Sequence, residues 1–403
     1  MTLMKSLLLG SAAGIVAVAS AQAADLPTKK GAPAAEYVKV CTINVGGTPI
    51  VGFTLPGSDT CLKISGYDSA QYTIASHSDA GQNAIGFFNR AQVNFDAVSN
   101  TGAGPLLAHL ELQADYGTGF DSRYGGYGAG LARTQENSAY ITWAGLTVGK
   151  HGSFFDYLAG GAAWDDFISP DHSGGPVPLA AYTVSVGGGF SATLSLETPE
   201  GIGSEGSRSP DIVGQLKLTQ GWGNAQLSAV AHDVDLIGDS DWGYAVLGGL
   251  TFNIPGYAGA DVKLQGVYAY DAIGYSGLGS PGGYNYGGQP EGSGVLGVGG
   301  DVTPVVGGFS NSSAWSVAGY LDLPITPQFK ISPEASYGEV TYSAGNPVKA
   351  SAFVGGGVLE WVPVKNLVFD LDLLYIDGSF TNALAQKGDY SGFTGKLRIE
   401  RDF

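Results

Sequence analysis

The chain has 403 residues, of which 65 are glycine and only 14% are charged, with 21 Tyr, 17 Phe and 6 Trp. The aromatics argue against disorder, the low charge against an ordinary soluble domain, and the irregular glycine spacing against collagen. A formal charge of −17, from 19 basic and 36 acidic residues without a basic patch, argues against nucleic acid as a partner.

The first element is an export signal. Lys5 precedes an apolar stretch from Leu7 to Val18, and Ala21-Gln22-Ala23 supplies small residues for an A-x-A cleavage site. The stretch is shorter than the roughly 20 residues a membrane span needs, and no later segment is long and apolar enough for a transmembrane helix. Export puts Cys41 and Cys61 in an oxidising compartment, where an even pair reads as a disulfide. Closing that loop contributes about 3 kcal/mol in the chain-entropy picture. A two-cysteine metal site is the weaker alternative, because no histidine lies near either cysteine. No metal or other cofactor is expected.

From Cys61 onward the apolar pattern has period two. Leu106, Ala108, Leu110, Leu112, Ala114 and Tyr116 alternate with Leu107, His109, Glu111, Gln113 and Asp115. Phe190, Ala192, Leu194 and Leu196 alternate with serine, threonine and glutamate. Leu367, Phe369, Leu371, Leu373 and Tyr375 alternate with a set that holds Asp370 and Asp372. Phe393, Leu397 and Ile399 alternate with Thr394, Lys396, Arg398 and Glu400. Sixteen strands are expected, over 61–74, 85–97, 106–116, 133–143, 146–151, 178–186, 190–197, 211–219, 224–234, 242–254, 260–271, 314–323, 328–342, 349–362, 367–376 and 390–403.

Such strands suit either a β-sandwich, with its apolar faces inside, or a membrane barrel, with its apolar face on lipid. The connections choose between them. Tight links such as Ala144-Gly145, Gln220–Gly223 and Pro363–Asn366 alternate with long ones over 117–132, 152–177, 198–210 and 272–313. Short turns at one end and long loops at the other belong to outer-membrane barrels. Trp143, Trp222 and Trp361 beside short turns, and Trp242 at the other end, fit two interfacial girdles. Phe403 closes an alternating strand with an aromatic residue, the position of a barrel-assembly signal. The expected division is a signal peptide over 1–23, a periplasmic N-terminal segment over 24–60 and a transmembrane antiparallel β-barrel over 61–403.

The segment Glu36-Tyr37-Val38-Lys39-Val40-Cys41, followed by Pro56-Gly57-Ser58-Asp59-Thr60-Cys61-Leu62-Lys63-Ile64, resembles the N-terminus of the alphaproteobacterial outer-membrane porins. Asn94-Phe95-Asp96, and Gly149 with Phe155-Asp156, are similar to the same family, of the rhizobial general-diffusion type. The resemblance implies a sixteen-stranded barrel whose third long loop folds into the lumen as a constriction. It also implies a homotrimer, set among outer-membrane lipid and lipopolysaccharide, that passes small hydrophilic solutes and ions.

Selectivity in a water-filled barrel comes from its narrowest ring and the charges facing it. The candidate acidic side is Asp156, Asp165, Asp166 and Asp171 on the 152–177 loop. The candidate basic wall is Lys63, Arg90 and Arg133, with Phe88, Gln92 and Asn94 sharing the inward parity of Arg90. Bases this few predict a mild cation preference that falls as salt rises. The alternatives are a substrate-specific channel, which a lumen track of aromatics would favour, and a closed structural or adhesive barrel. An enzyme is not expected: His77, His109, His151, His172 and His232 form no local nucleophile–base motif.

Overall fold

The computed structural model describes residues 39–76, 84–119, 131–158, 161–162, 176–198, 208–236, 239–278, 301–305, 308–343, 349–381, 384 and 387–403. Its strands are β1 (Val40–Val45), β2 (Thr48–Thr54), β3 (Cys61–Ala75), β4 (Ile85–Thr101), β5 (Gly104–Gly119), β6 (Leu131–Trp143) and β7 (Leu146–His151). There follow β8 (Val177–Gly187), β9 (Phe190–Glu197), β10 (Asp211–Gln220), β11 (Gly223–Leu236), β12 (Asp239–Asn253) and β13 (Asp261–Tyr270). A short 3-10 turn, Ile273–Ser276, precedes a small hairpin of β14 (Thr303–Val305) and β15 (Gly308–Ser310). The chain ends with β16 (Ser312–Thr326), β17 (Phe329–Tyr342), β18 (Lys349–Val364), β19 (Leu367–Thr381) and β20 (Lys387–Asp402).

Each strand from β3 to β13 and from β16 to β20 pairs antiparallel with its neighbours, and β20 returns to β3 from Thr394↔Ala75 to Asp402↔Tyr67. The result is a closed barrel of sixteen strands. Closure leaves none of these strands with an open edge, which is what backbone amides need in a bilayer. The sixteen strands are those expected from the alternation, most of them extended by a few residues.

Parity sorts the side chains. Ile64, Tyr72, Leu194, Leu196, Leu264, Leu371, Leu373 and Leu397 are exposed on the outer face, while Ser69, Gln71, Thr73, Thr193, Ser195, Gln265 and Asp372 are buried inside. An apolar band of this extent on the outside is a lipid surface, and polar residues fill the alternate positions. Outward rings collect near the strand ends. Trp361 stacks between Phe329 and Phe369, with centroids 6.1 and 5.1 Å away, beside the short turns. Tyr244 packs on Tyr268 and Tyr270 at the opposite end.

The hairpin β1–β2 lies within the 24–60 segment expected from the sequence to be a periplasmic N-terminal segment. It joins the sheet through Phe53↔Leu62 and Thr54↔Cys61. Ile43 and Ile50 pack against Cys61, Val98 and Leu107, all on the inner face near the short-turn end. The Cys41–Cys61 disulfide ties β1 to the first residue of β3. At the other end of the chain, Phe403 and Gly66 exchange backbone hydrogen bonds of 2.9 and 3.2 Å.

Candidate functional site: the lumen wall and its inward loops

Inward parity and strand register build a band of charges across neighbouring strands. Lys330 stands opposite Glu360, Glu360 opposite Asp370, and Asp370 opposite Arg398. Lys330 Nζ reaches Glu360 Oε2 at 2.9 Å. On one flank, Lys263 bridges Asp261 at 2.9 Å and Asp322 at 2.6 Å, with its ammonium 4.6 Å from the centre of the Tyr320 ring. Ser332 also donates to Asp322. On the other flank, Arg398 pairs with Glu400 and sits over the Tyr67 ring. Arg90 then meets Asp115 in a bidentate pair, Nε to Oδ1 at 2.7 Å and Nη2 to Oδ2 at 2.9 Å. The fork geometry of a guanidinium matches a carboxylate, which fixes both side chains flat against the wall.

Most of these charges are held in pairs, and the band retains a small acidic surplus. With Asp372 and Lys396 opposite each other, and Arg133 opposite Asp115, the seven acids Asp115, Asp261, Asp322, Glu360, Asp370, Asp372 and Glu400 stand against the six bases Lys263, Lys330, Lys396, Arg90, Arg133 and Arg398. Further along the wall, His109 Nδ1 lies 2.6 Å from Asp96 Oδ1 and its ring stacks on Tyr140 at 4.8 Å. Tyr140 meets His151 edge-on, and His151 stacks on Phe154.

Residues 152–158 and 161–162 of the third long loop lie along the inner wall, held by side chains of inward parity. Glu197 accepts from Ser153 Oγ at 2.6 Å and from the Phe154 amide at 3.0 Å. Gln215 donates to the Phe154 carbonyl, and Gln226 to the carbonyls of Phe155 and Asp156. Gln265 accepts from the Leu158 amide, and Glu334 from the Ala162 amide, both across the lumen from β7 in sequence order. These glutamine and glutamate side chains pair backbone groups that would otherwise be unsatisfied away from water. Tyr157 bonds Asn224 Oδ1 at 2.8 Å and Thr251 Oγ1 at 2.6 Å, and burial pushes its phenol above the ordinary value. Its ring lies on Gly249, where an added Cβ would fall inside it. Between loop and wall is a cavity of ≈ 490 Å³, lined in part by Asp156, Tyr157, Lys217, Asn224, Lys263 and Tyr320.

Of the residues marked in the sequence, Arg90 faces the lumen within the charge band. Lys63 is inward too, but stands opposite Asp96, nearer the β1–β2 hairpin. Register sets Arg133 opposite Asp115. Asp156 is on the wall-bound part of the loop. Asp165, Asp166 and Asp171 lie outside the described residues, as do His77 and His172. The sequence reading missed Lys263, Lys330 and their partners. Strand parity carried that signal, but pairing them requires the register between neighbouring strands. His232 is buried with Asp211 and Asp301, so its role is to hold wall and loop together. Among the described residues no group of three or more His, Cys, Asp or Glu is arranged to hold a metal ion.

Comparison with known proteins supplies the family. The family described as "Porin subfamily" matches residues 25–394. The chain belongs to this porin family. It is 33% identical over 294 residues to porin Omp2b of Brucella suis, a match covering 66% of this chain and 74% of that one. Porin Omp2b of Brucella abortus is 33% identical over 288 residues, with the same coverage. The fold is similar to that of the outer membrane channel DcaP of Acinetobacter baumannii, with a TM-score of 0.65, 14% identity, and coverage of 87% of this chain and 99% of that one. This porin is therefore an outer-membrane channel protein and not an enzyme. A closed barrel with a charged, polar inner wall is the structure that this function requires.

Proposed function

We propose that this porin is a general-diffusion channel for small hydrophilic solutes and ions, with a mild preference for cations. The observation that carries the preference is the acidic surplus in the lumen band from Asp261 to Asp115. A low-dielectric wall focuses such charge into the aqueous path and enriches cations there. In this reading Asp156, Asp165, Asp166 and Asp171 form the acidic side of the constriction, and Lys63, Arg90 and Arg133 the basic side. The signal peptide over 1–23 is removed on export, the barrel assembles as a homotrimer within lipid and lipopolysaccharide, and Phe403 serves as the assembly signal. Replacing Asp165 and Asp166 by Asn lowers cation preference, read as reversal potential across a potassium chloride gradient. An unchanged potential in the folded variant removes these two residues from the constriction.

The second reading is a substrate-specific channel. The run His109–Tyr140–His151–Phe154 supports it, since aromatic faces along a lumen track suit sugars and other ring-shaped solutes. These rings spend much of their surface on one another, which favours general diffusion. Concentration-dependent block of ion current by an added sugar would move this reading forward.

A further inference from the structure

The β1–β2 hairpin stands in the short-turn mouth of the barrel. Phe403, directly after β20, meets Gly66, and below that point β2 takes over as the neighbour of β3 through Phe53↔Leu62 and Thr54↔Cys61. From there the hairpin folds inward. Cys41, Ile43 and Val45 of β1 turn to the wall, and Ile50 of β2, the partner of Ile43, joins them. They cover Cys61, Val98 and Leu107, inward residues of β3, β4 and β5 close to the Thr101–Gly104 turn. These three are 0%, 0% and 6% exposed. An apolar patch on a wall otherwise bathed in water is accounted for once the hairpin lies over it. At the long-loop end, Ile273, Tyr275 and Leu278 likewise bury inward apolar residues of β10 to β13 and β16 to β19.

The opposite face of the hairpin is open to water. Val40 and Val51 are 71% and 53% exposed, and Thr42, the partner of Val51, and Asn44 are exposed with them. Face-to-face β layers lie about 10 Å apart, so this open face stands about 10 Å in from the wall. A barrel of sixteen strands is wide enough to keep an aqueous path beside it. The hairpin is anchored by the Cys41–Cys61 bond and by its pairing with β3. It passes so close to β3 that an added Cβ at Gly52 would fall 2.2 Å from the Leu62 carbonyl oxygen. Tyr140 packs against the same apolar cluster, and through His151 it connects to Phe154 of the third long loop. Hairpin, aromatic run and loop therefore follow one another along one side of the lumen. Val40–Thr54 contains no charged residue.

We propose that the β1–β2 hairpin is a fixed partial closure of the periplasmic mouth, with Thr42 and Val51 on the side that solutes pass. It is a neutral filter that sorts by size, in series with the charged band above it. This deepens the diffusion-channel reading and rests on it.

Thiol labelling in the full-length protein tests the proposal. The chain has no free cysteine, so Val51→Cys supplies a single reactive thiol once mass spectrometry has verified the Cys41–Cys61 bond. Charged methanethiosulfonate reagents are then added to single channels in a planar bilayer. Attachment at position 51 adds bulk to the mouth, so conductance falls in steps, and falls further with a bulkier reagent. A sulfonate raises the cation preference and a trimethylammonium lowers it. Val186→Cys, exposed on the outer face beside the β8–β9 turn, is the control, and its conductance is unaltered by the same reagents. Complete labelling at position 51 with unchanged conductance and reversal potential overturns the proposal. No reaction at that position in a folded barrel, or an equal change at position 186, overturns it as well. Thr42→Cys gives the same readout from the neighbouring strand and decides the matter if the Val51 variant does not fold. Wild-type protein run alongside separates the two readings: a folded wild type without conductance overturns the channel itself, whereas a conducting wild type with unaltered labelled variants overturns only the role of the hairpin.

Discussion

Arg90 shows what one residue can contribute to this lumen. Its guanidinium is pinned by both oxygens of Asp115, with side-chain exposures of 13% and 2%. Breaking a pair this sheltered leaves the other charge uncompensated, at a cost of about 3–5 kcal/mol when burial is complete. Some water reaches Arg90, so its loss should alter the local field more than the fold. Arg90→Gln then exposes the Asp115 carboxylate and shifts the reversal potential further to the cation side. Asp115→Asn shifts it the other way, and the double variant returns close to wild type. A double variant that keeps the full shift of either single variant would show that the two charges do not offset each other in the field of the pore. Arg90 was legible in the sequence because Phe88, Gln92 and Asn94 mark its strand face. Lys263 and Lys330 carried the same kind of parity signal. Their significance lies in Asp322 and Glu360, which only strand register brings beside them.

At the scale of elements, the barrel strands were legible because lipid on one side and the lumen on the other impose a strict alternation. Strand ends were less so: β4 runs to Thr101 and β19 to Thr381, beyond the last clear apolar residues at those positions. The β1–β2 hairpin was not legible. Its strands have six and seven residues, and its apolar pair Ile43 and Ile50 gains a partner only from the barrel wall. The Cys41–Cys61 bond holds this hairpin across the inner edge of β3 to β5. Replacing both cysteines by serine removes about 3 kcal/mol of loop-closure stabilisation. The hairpin then becomes cleavable by added protease while the barrel stays intact on a gel. Equal protease resistance in the serine variant would show that packing of Ile43 and Ile50 alone keeps it seated. The inward course of 271–278 was equally hidden, because Gly338 and the small residues of β18 read as ordinary strand positions until Leu278 is placed on them.

At the scale of the whole molecule, the barrel divides its inner wall into two sectors. At the long-loop end of β10 to β13 and of β16 to β19, inward apolar side chains are covered by Tyr275, Ile273, Leu278 and Phe155. From β20 through β3 to β5, and along the other end of β13 and β16 to β19, the wall carries Asp261, Lys263, Lys330, Glu360, Asp370, Arg398, Arg90 and Asp115. Solutes are thus offered a charged path beside a packed one, and the acid surplus of that path gives the channel its sign. Because the wall is fixed by hydrogen-bonded strands, this sign is a property of the folded barrel and weakens only as salt screens it. The most direct measurement is the conductance of purified wild-type protein in a planar bilayer, with its reversal potential under a potassium chloride gradient. Discrete open steps with a reversal potential displaced modestly to the cation side, and less so at higher salt, are the expected result. A folded, heat-modifiable barrel that gives no steps, or steps that reverse on the anion side, would contradict it.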